Sequence, residues 1–120
     1  MPERDYSLHL DDIIEAVGKI EGYTTNLTFK KFCENSMVMD AVIRNFEIIG
    51  EASRRMPTNI KKRYHDIPWK IMAGMRNKLI HEYFGVNKAV LWKTIKEDLP
   101  KIEPPLLRIR KNLGKSNRLI

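Results

Sequence analysis

The side chains able to do chemistry concentrate in one segment, Arg76-Asn77-Lys78-Leu79-Ile80-His81-Glu82-Tyr83. On a helix that turns about 100° per residue, Trp69, Met72, Ala73, Leu79, Ile80 and Tyr83 define an apolar stripe with Arg76 near its middle. A cation in that register is costly unless it is paired or aimed at an anion. Asn77 and His81 stand one turn apart along the flank, and Arg76 and Tyr83 are two turns apart and nearly in line. The segment thus gathers a fixed positive charge, an amide, an imidazole and a phenol. Cleavage of RNA without a metal needs a base for the ribose 2′-OH, an acid for the leaving 5′-oxygen and a cation for the crowded phosphate. Histidine serves as acid or base near neutrality. Arginine presents a planar fork that matches phosphate oxygens and keeps its charge. Asn77 is placed to orient His81 or to bond a phosphate oxygen.

The same residues admit plainer roles. Arg76 can snorkel, or pair with a carboxylate such as Glu47 or Glu51 on the preceding long helix, where Arg44 shares their polar face. His81 can cap a helix end, and Tyr83 can be core. The residues alone therefore define a candidate anion site and not a reaction. His9, His65 and His81 are far apart, with no H-E-x-x-H or paired-cysteine pattern, so no dedicated metal site or other cofactor is expected. Gly-rich phosphate loops and G-x-S-x-G elbows are absent from the sequence.

The elements that must position this segment read as helices throughout. Leu8, Ile13, Ile14, Val17 and Ile20 recur at helical spacing and predict a helix over 7–21, with Gly22 as its C-cap. A long helix is expected from near Thr28 to just before Pro57. Its apolar face carries Val38, Ala41, Val42, Ile49, Ala52 and Met56, with Asn45 as the polar member, and Asp40, Arg44, Glu47 and Glu51 lie opposite. Thr58 to Asp66 is polar enough for a short helical turn. A third helix opens at Asp66 or the Ile67-Pro68 step, carries the motif to Phe84 and ends at Gly85. A fourth begins around Asn87 and includes Val90, Leu91, Ile95 and Leu99, with Pro100, Pro104 and Pro105 expected to bend or interrupt it. A last basic helix, Leu106 to Leu113, should stop at Gly114. Strand-like alternation is absent. The expectation is an all-α fold, an antiparallel bundle of four to five helices in one domain over residues 1–120.

At 120 residues and 42% hydrophobic, the chain can bury one core, and its mean hydropathy of -0.42 leaves a wet surface. No stretch approaches the roughly 20 apolar residues of a membrane span. The lone Cys33 and an acidic N-terminus without an apolar core point to a cytoplasmic protein. The net charge of +7 favours anionic partners, nucleic acid first. From Lys101 onward, six cations face the single acid Glu103, with the basic C-terminal segment starting at about 106. That segment reads either as a solvated tail or as an electrostatic footprint for an RNA backbone.

The motif and its surroundings resemble a known family. Arg76, His81 and Tyr83 reproduce the R-x4-H-x-Y signature of HepT-type HEPN toxins. Arg44-Asn45-Phe46-Glu47-Ile48-Ile49-Gly50-Glu51-Ala52 resembles the family's I-G-E-A stretch. Ile67-Pro68-Trp69, Tyr83-Phe84-Gly85-Val86, Leu91-Trp92 and Leu99-Pro100 follow in family order, so the likeness spans roughly 5–113. This resemblance implies a HEPN-like bundle and a metal-independent endoribonuclease toxin. It also implies a homodimer whose two motifs meet in an interface cleft. Carried over, Arg76 and His81 are catalytic and Asn77 is a supporting polar group. Glu47, Glu51 and Arg44 are candidates for supporting roles behind them. The family's antitoxin, a minimal nucleotidyltransferase, transfers AMP from ATP to the motif tyrosine, here Tyr83. Competing with this are a non-catalytic nucleotide- or RNA-binding module and a subunit that scaffolds the nucleotidyltransferase.

Overall fold

In the computed structural model of the chain, backbone is described for residues 3–81 and 87–118, and side chains for residues 6–75 and 87–113. The described backbone is helical, with no strand among the described residues, in agreement with the all-α expectation. α1 spans Glu3–Thr24, α2 Phe29–Glu34, α3 Ser36–Arg55, α4 Thr58–Arg63, α5 Trp69–His81, α6 Lys88–Lys93 and α7 Leu99–Arg118. A π-helical stretch, Thr94–Asp98, joins α6 to α7.

α1 buries Tyr6, Leu10, Ile13, Ala16, Val17 and Ile20, a stripe at three- and four-residue intervals. It runs past Gly22, the expected cap, and ends at Thr24. The reason is local. The buried Thr24 hydroxyl donates to the Ile20 carbonyl at 2.8 Å, and the Thr25 hydroxyl donates to that of Glu21 at 2.6 Å. These bonds satisfy last-turn carbonyls without a left-handed glycine.

The long second helix expected from Thr28 is two helices. Asn35 breaks it with φ −113° and ψ 89°, and its Oδ1 accepts from the Val38 N–H at 3.0 Å to cap α3. Thr28 caps α2 in the same manner, accepting from the Lys31 N–H at 3.2 Å. α3 then stops at Met56, which is extended as a residue before proline should be.

The connection into α5 is tight. Ile67 and Trp69 are buried, and the Trp69 indole N–H donates to the Tyr64 carbonyl at 3.0 Å. Asn87 caps α6 through Oδ1 on the Val90 N–H at 3.1 Å. The expected interruption at the prolines, and a separate Leu106–Leu113 helix ending at Gly114, are not found. α7 is one helix through Pro100, Pro104, Pro105 and Gly114. Pro100 sits in its first turn, directly after the π-helical stretch. Pro104 and Pro105 remove two bonds at about 3 kcal/mol each. Burial of Leu99, Ile102, Leu106 and Ile109 along one side holds the helix despite that cost.

α3 is the central member and packs against both α1 and α5, while α7 closes over α1. The buried side chains form one apolar cluster drawing on all of these helices. Phe32 and Phe29 meet Trp92 at ring-centroid distances of 5.1 and 6.1 Å, pinning α2 to α6. Lys96 lies 4.8 Å from the Trp92 centroid and donates to the Thr24 carbonyl at 3.1 Å, so the π-helical stretch is tied to the end of α1. Arg110 pairs with Asp11, and Arg108 with Asp66 at 3.5 Å.

Phe46 lies wholly within the cluster, so Phe46→Ala should cost about 3–5 kcal/mol in urea unfolding. Met37, 75% exposed, should lose no more than about 0.5 kcal/mol on the same change. Equal losses at the two positions would contradict this placement of the core.

Candidate functional site

α5 is the platform for the motif. Trp69 and Met72 are buried, Ala73 and Met75 half-buried, and Lys70, Ile71 and Gly74 exposed. Arg76 follows Met72 by four residues and Trp69 by seven, so its backbone continues the buried line of the helix. Asn77 continues the register of exposed Lys70, and His81 that of exposed Gly74. Over five residues an ideal helix separates Arg76 and His81 by about 140° around its axis. The helix carrying both is continuous to His81. The side chains of Arg76, Asn77 and His81, the whole of Tyr83 and the expected helix end at Phe84-Gly85 lie outside the described residues.

The three supporting candidates, Arg44, Glu47 and Glu51, come together on α3. They line an open groove of about 460 Å³ between α1 and α3, with His9 and Asp12 from α1 and Arg55 from α3. Arg44 pairs with Glu47 at 3.5 Å, and Arg55 with Glu51 at 3.1 Å. Both are pairs within one helix, at three- and four-residue spacing, and at this exposure they add little stability. Each therefore gives α3 a carboxylate that already has a cation beside it. His9, Asp12 and Arg55 were not singled out by sequence. Arg55 follows Glu51 by one turn and could have been found by that spacing, but the approach of α1 could not. Asn45, the polar residue on the buried face of α3, satisfies itself by donating Nδ2–H to the Ala41 carbonyl at 2.9 Å. The Ser53 hydroxyl is buried without a partner among the described residues.

Among the described residues no group of three or more His, Cys, Asp or Glu side chains is arranged to hold a metal ion. No described helix is long and apolar enough to cross a membrane. One carboxyl pair stands apart from α5. Burial pushes Glu21 of α1 up to about 7, reinforced by a hydrogen bond with, and repulsion from, Glu103 of α7, while Lys96 acts in the opposite direction. The hydrogen bond between the Glu21 and Glu103 carboxyls thus joins α1 to α7. Its place between structural helices, with Lys96 already engaged by Thr24 and Trp92, makes it a structural contact.

The HepT-like family profile, described as ribonuclease HepT-like, matches residues 13–109. The chain belongs to the HepT-like family. The match runs from the middle of α1 to the middle of α7, and α5 with the motif falls inside it. Among its relatives is "Probable ribonuclease HepT" of Thermococcus cleftensis, 46% identical over 91% of this chain and 99% of that protein. Two proteins of Methanocaldococcus jannaschii are similar as well. "Putative RNase MJ1380" is 44% identical over 86% of this chain and 94% of its own length. "Putative RNase MJ1216" is 41% identical over 94% of this chain and 93% of its own length. No solved structure matches the chain significantly.

The Glu21 pair gives this HepT-like chain a definite pH response. Because the folded value of Glu21 lies above its ordinary 4.5, the pair's contribution is fully present below about 4.5 and is lost as pH rises through about 7. Glu21→Gln should therefore melt higher than the parent protein at about pH 8 and level with it at about pH 4. A variant no more stable than the parent at the higher pH would show that a charged Glu21 costs the fold nothing.

Proposed function

We propose that this chain is a metal-independent endoribonuclease in which Arg76 and His81 are catalytic and Asn77 assists them. Membership of the HepT-like family carries the reading. The continuity of α5 from Arg76 through Asn77 to His81 is consistent with it. His81 takes the proton of the ribose 2′-OH as that oxygen attacks phosphorus. Arg76 balances the charge gathering on the phosphate oxygens. The bond to the 5′-oxygen breaks, that oxygen takes a proton from a histidine imidazolium or from water, and a 2′,3′-cyclic phosphate remains. The angular separation of Arg76 and His81 favours a homodimer in which two α5 helices face each other across a two-fold axis. One copy then supplies what the other lacks at a given phosphate. The groove residues Arg44, Glu47 and Glu51 hold supporting positions on α3.

We further propose, on the family resemblance, that the protein is the toxin of a cytoplasmic two-gene toxin–antitoxin module. Its antitoxin is a minimal nucleotidyltransferase. In that step the Tyr83 phenol attacks the α-phosphorus of ATP, pyrophosphate leaves and AMP remains esterified to the tyrosine. The added bulk and negative charge occupy the groove that substrate phosphate requires beside Arg76.

The purified protein should cleave RNA in EDTA and leave 2′,3′-cyclic phosphate ends. His81→Ala and Arg76→Ala, each of confirmed fold and dimer state, should be slower by about 10²–10⁴-fold. RNA binding without cleavage by the unaltered protein would instead identify a nucleotide- or RNA-binding module. Incubation with ATP and the partner should add AMP to Tyr83 and abolish cleavage, with Tyr83→Phe unmodified. Mass spectrometry that located the nucleotide elsewhere would overturn the regulatory reading.

A further inference from the structure

A second groove, of about 320 Å³, lies between the α4–α5 connection and α7. Tyr64, Asp66, Pro105, Arg108, Lys111 and Asn112 line it. The two walls are about forty residues apart in sequence, and the α7 wall is the basic one. Lys61, Lys62 and Arg63 form the last turn of α4, immediately before Tyr64. On α7, residues 101, 104, 105, 108, 111 and 112 follow one face at three- and four-residue spacing, and Lys101, Arg108 and Lys111 are exposed. No acidic residue of α7 belongs to that face. Glu103 is turned to Glu21, and Arg110 to Asp11. The carboxylate lining the groove is Asp66, 3.5 Å from Arg108.

Tyr64 shares the groove with Arg108 and Lys111. Its N–H donates to the Ile60 carbonyl at 3.0 Å. Its own carbonyl accepts from the Ile67 N–H at 3.1 Å and from the Trp69 indole at 3.0 Å. The backbone beneath the ring is therefore fixed, and a ligand stacking on it meets little ordering cost there. Arg108 and Lys111 are about 5–6 Å apart at Cβ, comparable to the spacing of neighbouring phosphates on an extended strand. The groove has room for a nucleotide, while a partner helix of about 10–12 Å diameter would overfill it.

We infer that this groove docks a single-stranded stretch of RNA away from the point of cleavage, with Arg108 and Lys111 on successive phosphates and Tyr64 under a base. The inference rests on the ribonuclease reading above and extends it to how a long substrate is held. Tyr64 is clamped to the first residue of α5, and Arg76 follows about 10 Å further along that helix, a separation of a few nucleotides. A cationic track with an aromatic platform is the combination that single strands use, and it is tolerant of sequence. Asp66 competes with phosphate for Arg108 and so sets the affinity below its maximum.

The test is binding of a fluorescein-labelled, uncleavable 2′-O-methyl oligoribonucleotide by anisotropy over a range of salt concentrations, beside cleavage of a dinucleotide and of a long RNA. The double variant Arg108→Gln/Lys111→Gln alters exposed side chains only. It should bind more weakly and shallow the salt slope by about 1.4, two contacts at about 0.7 each. Tyr64→Leu should lose about five- to a hundredfold in affinity, and Tyr64→Phe should retain it. Asp66→Asn should bind more tightly. Dinucleotide cleavage should be unchanged in all four, while cleavage of long RNA falls in the first two. If the double variant kept its affinity and salt slope, the docking groove would be wrong and the ribonuclease reading untouched. The same holds if it lost only an acidic protein partner. If the parent protein cleaved neither RNA yet the variants still lost binding, the groove would stand and the ribonuclease reading would fall.

Discussion

Everything in this chain depends on α3 having two incompatible faces. Val42, Ile43, Phe46, Ile49 and Ala52 are buried, and only burial against both α1 and α5 satisfies a stripe that wide. Removing those apolar side chains from water supplies the dominant driving force for assembling the bundle. It also decides where α5 lies, because Trp69 and Met72 need the same shelter. The opposite face, with Arg44, Glu47, Glu51 and Arg55, is thereby turned outward and lines a groove with α1. The candidate polar residues of α3 are thus turned outward by the burial of their apolar neighbours.

The helical periodicity made most of the fold legible in the sequence. Where the boundaries differed, a short-range hydrogen bond or apolar packing had outweighed a composition signal. Gly22 is a good terminator by type, but Thr24 and Thr25 reach the carbonyls first. Asn35 sits between two helical runs and reads as one polar residue in a long helix, until its side chain is seen capping α3. Three prolines in six residues look like an end to a helix. They are tolerated because Leu99, Ile102, Leu106 and Ile109 keep their spacing straight across them. In each case the deciding contact is made by the side chain or the packing, which residue type alone does not specify.

The site was legible to a different degree. The seven- and four-residue relations of Arg76 to Trp69 and Met72 can be read from spacing, and α5 realises that spacing as far as His81. The grouping of Arg44, Glu47 and Glu51 followed from one face of one helix. What was hidden depends on partners distant in the chain. His9 and Asp12 reach the α3 groove only because α1 packs there. The pairing of Asp66 with Arg108 joins positions that nothing local relates.

These long-range relations also explain why a tail that composition marks merely as basic has a definite geometry. α7 is anchored by its apolar side, so its cations cannot distribute themselves freely. Arg110 is drawn onto Asp11 of α1, and Arg108 toward Asp66 beside the start of α5. Exposed pairs of this kind contribute little to stability, so they do not account for the position of the helix. The packing of Leu106 and Ile109 does. Since the core sets the register of α7, Arg108 and Lys111 form a fixed pair next to Tyr64. A charge array maintained by the core does not have to be assembled when an anion arrives. That is the condition under which surface cations, each weak in water, act together on one polyanionic strand.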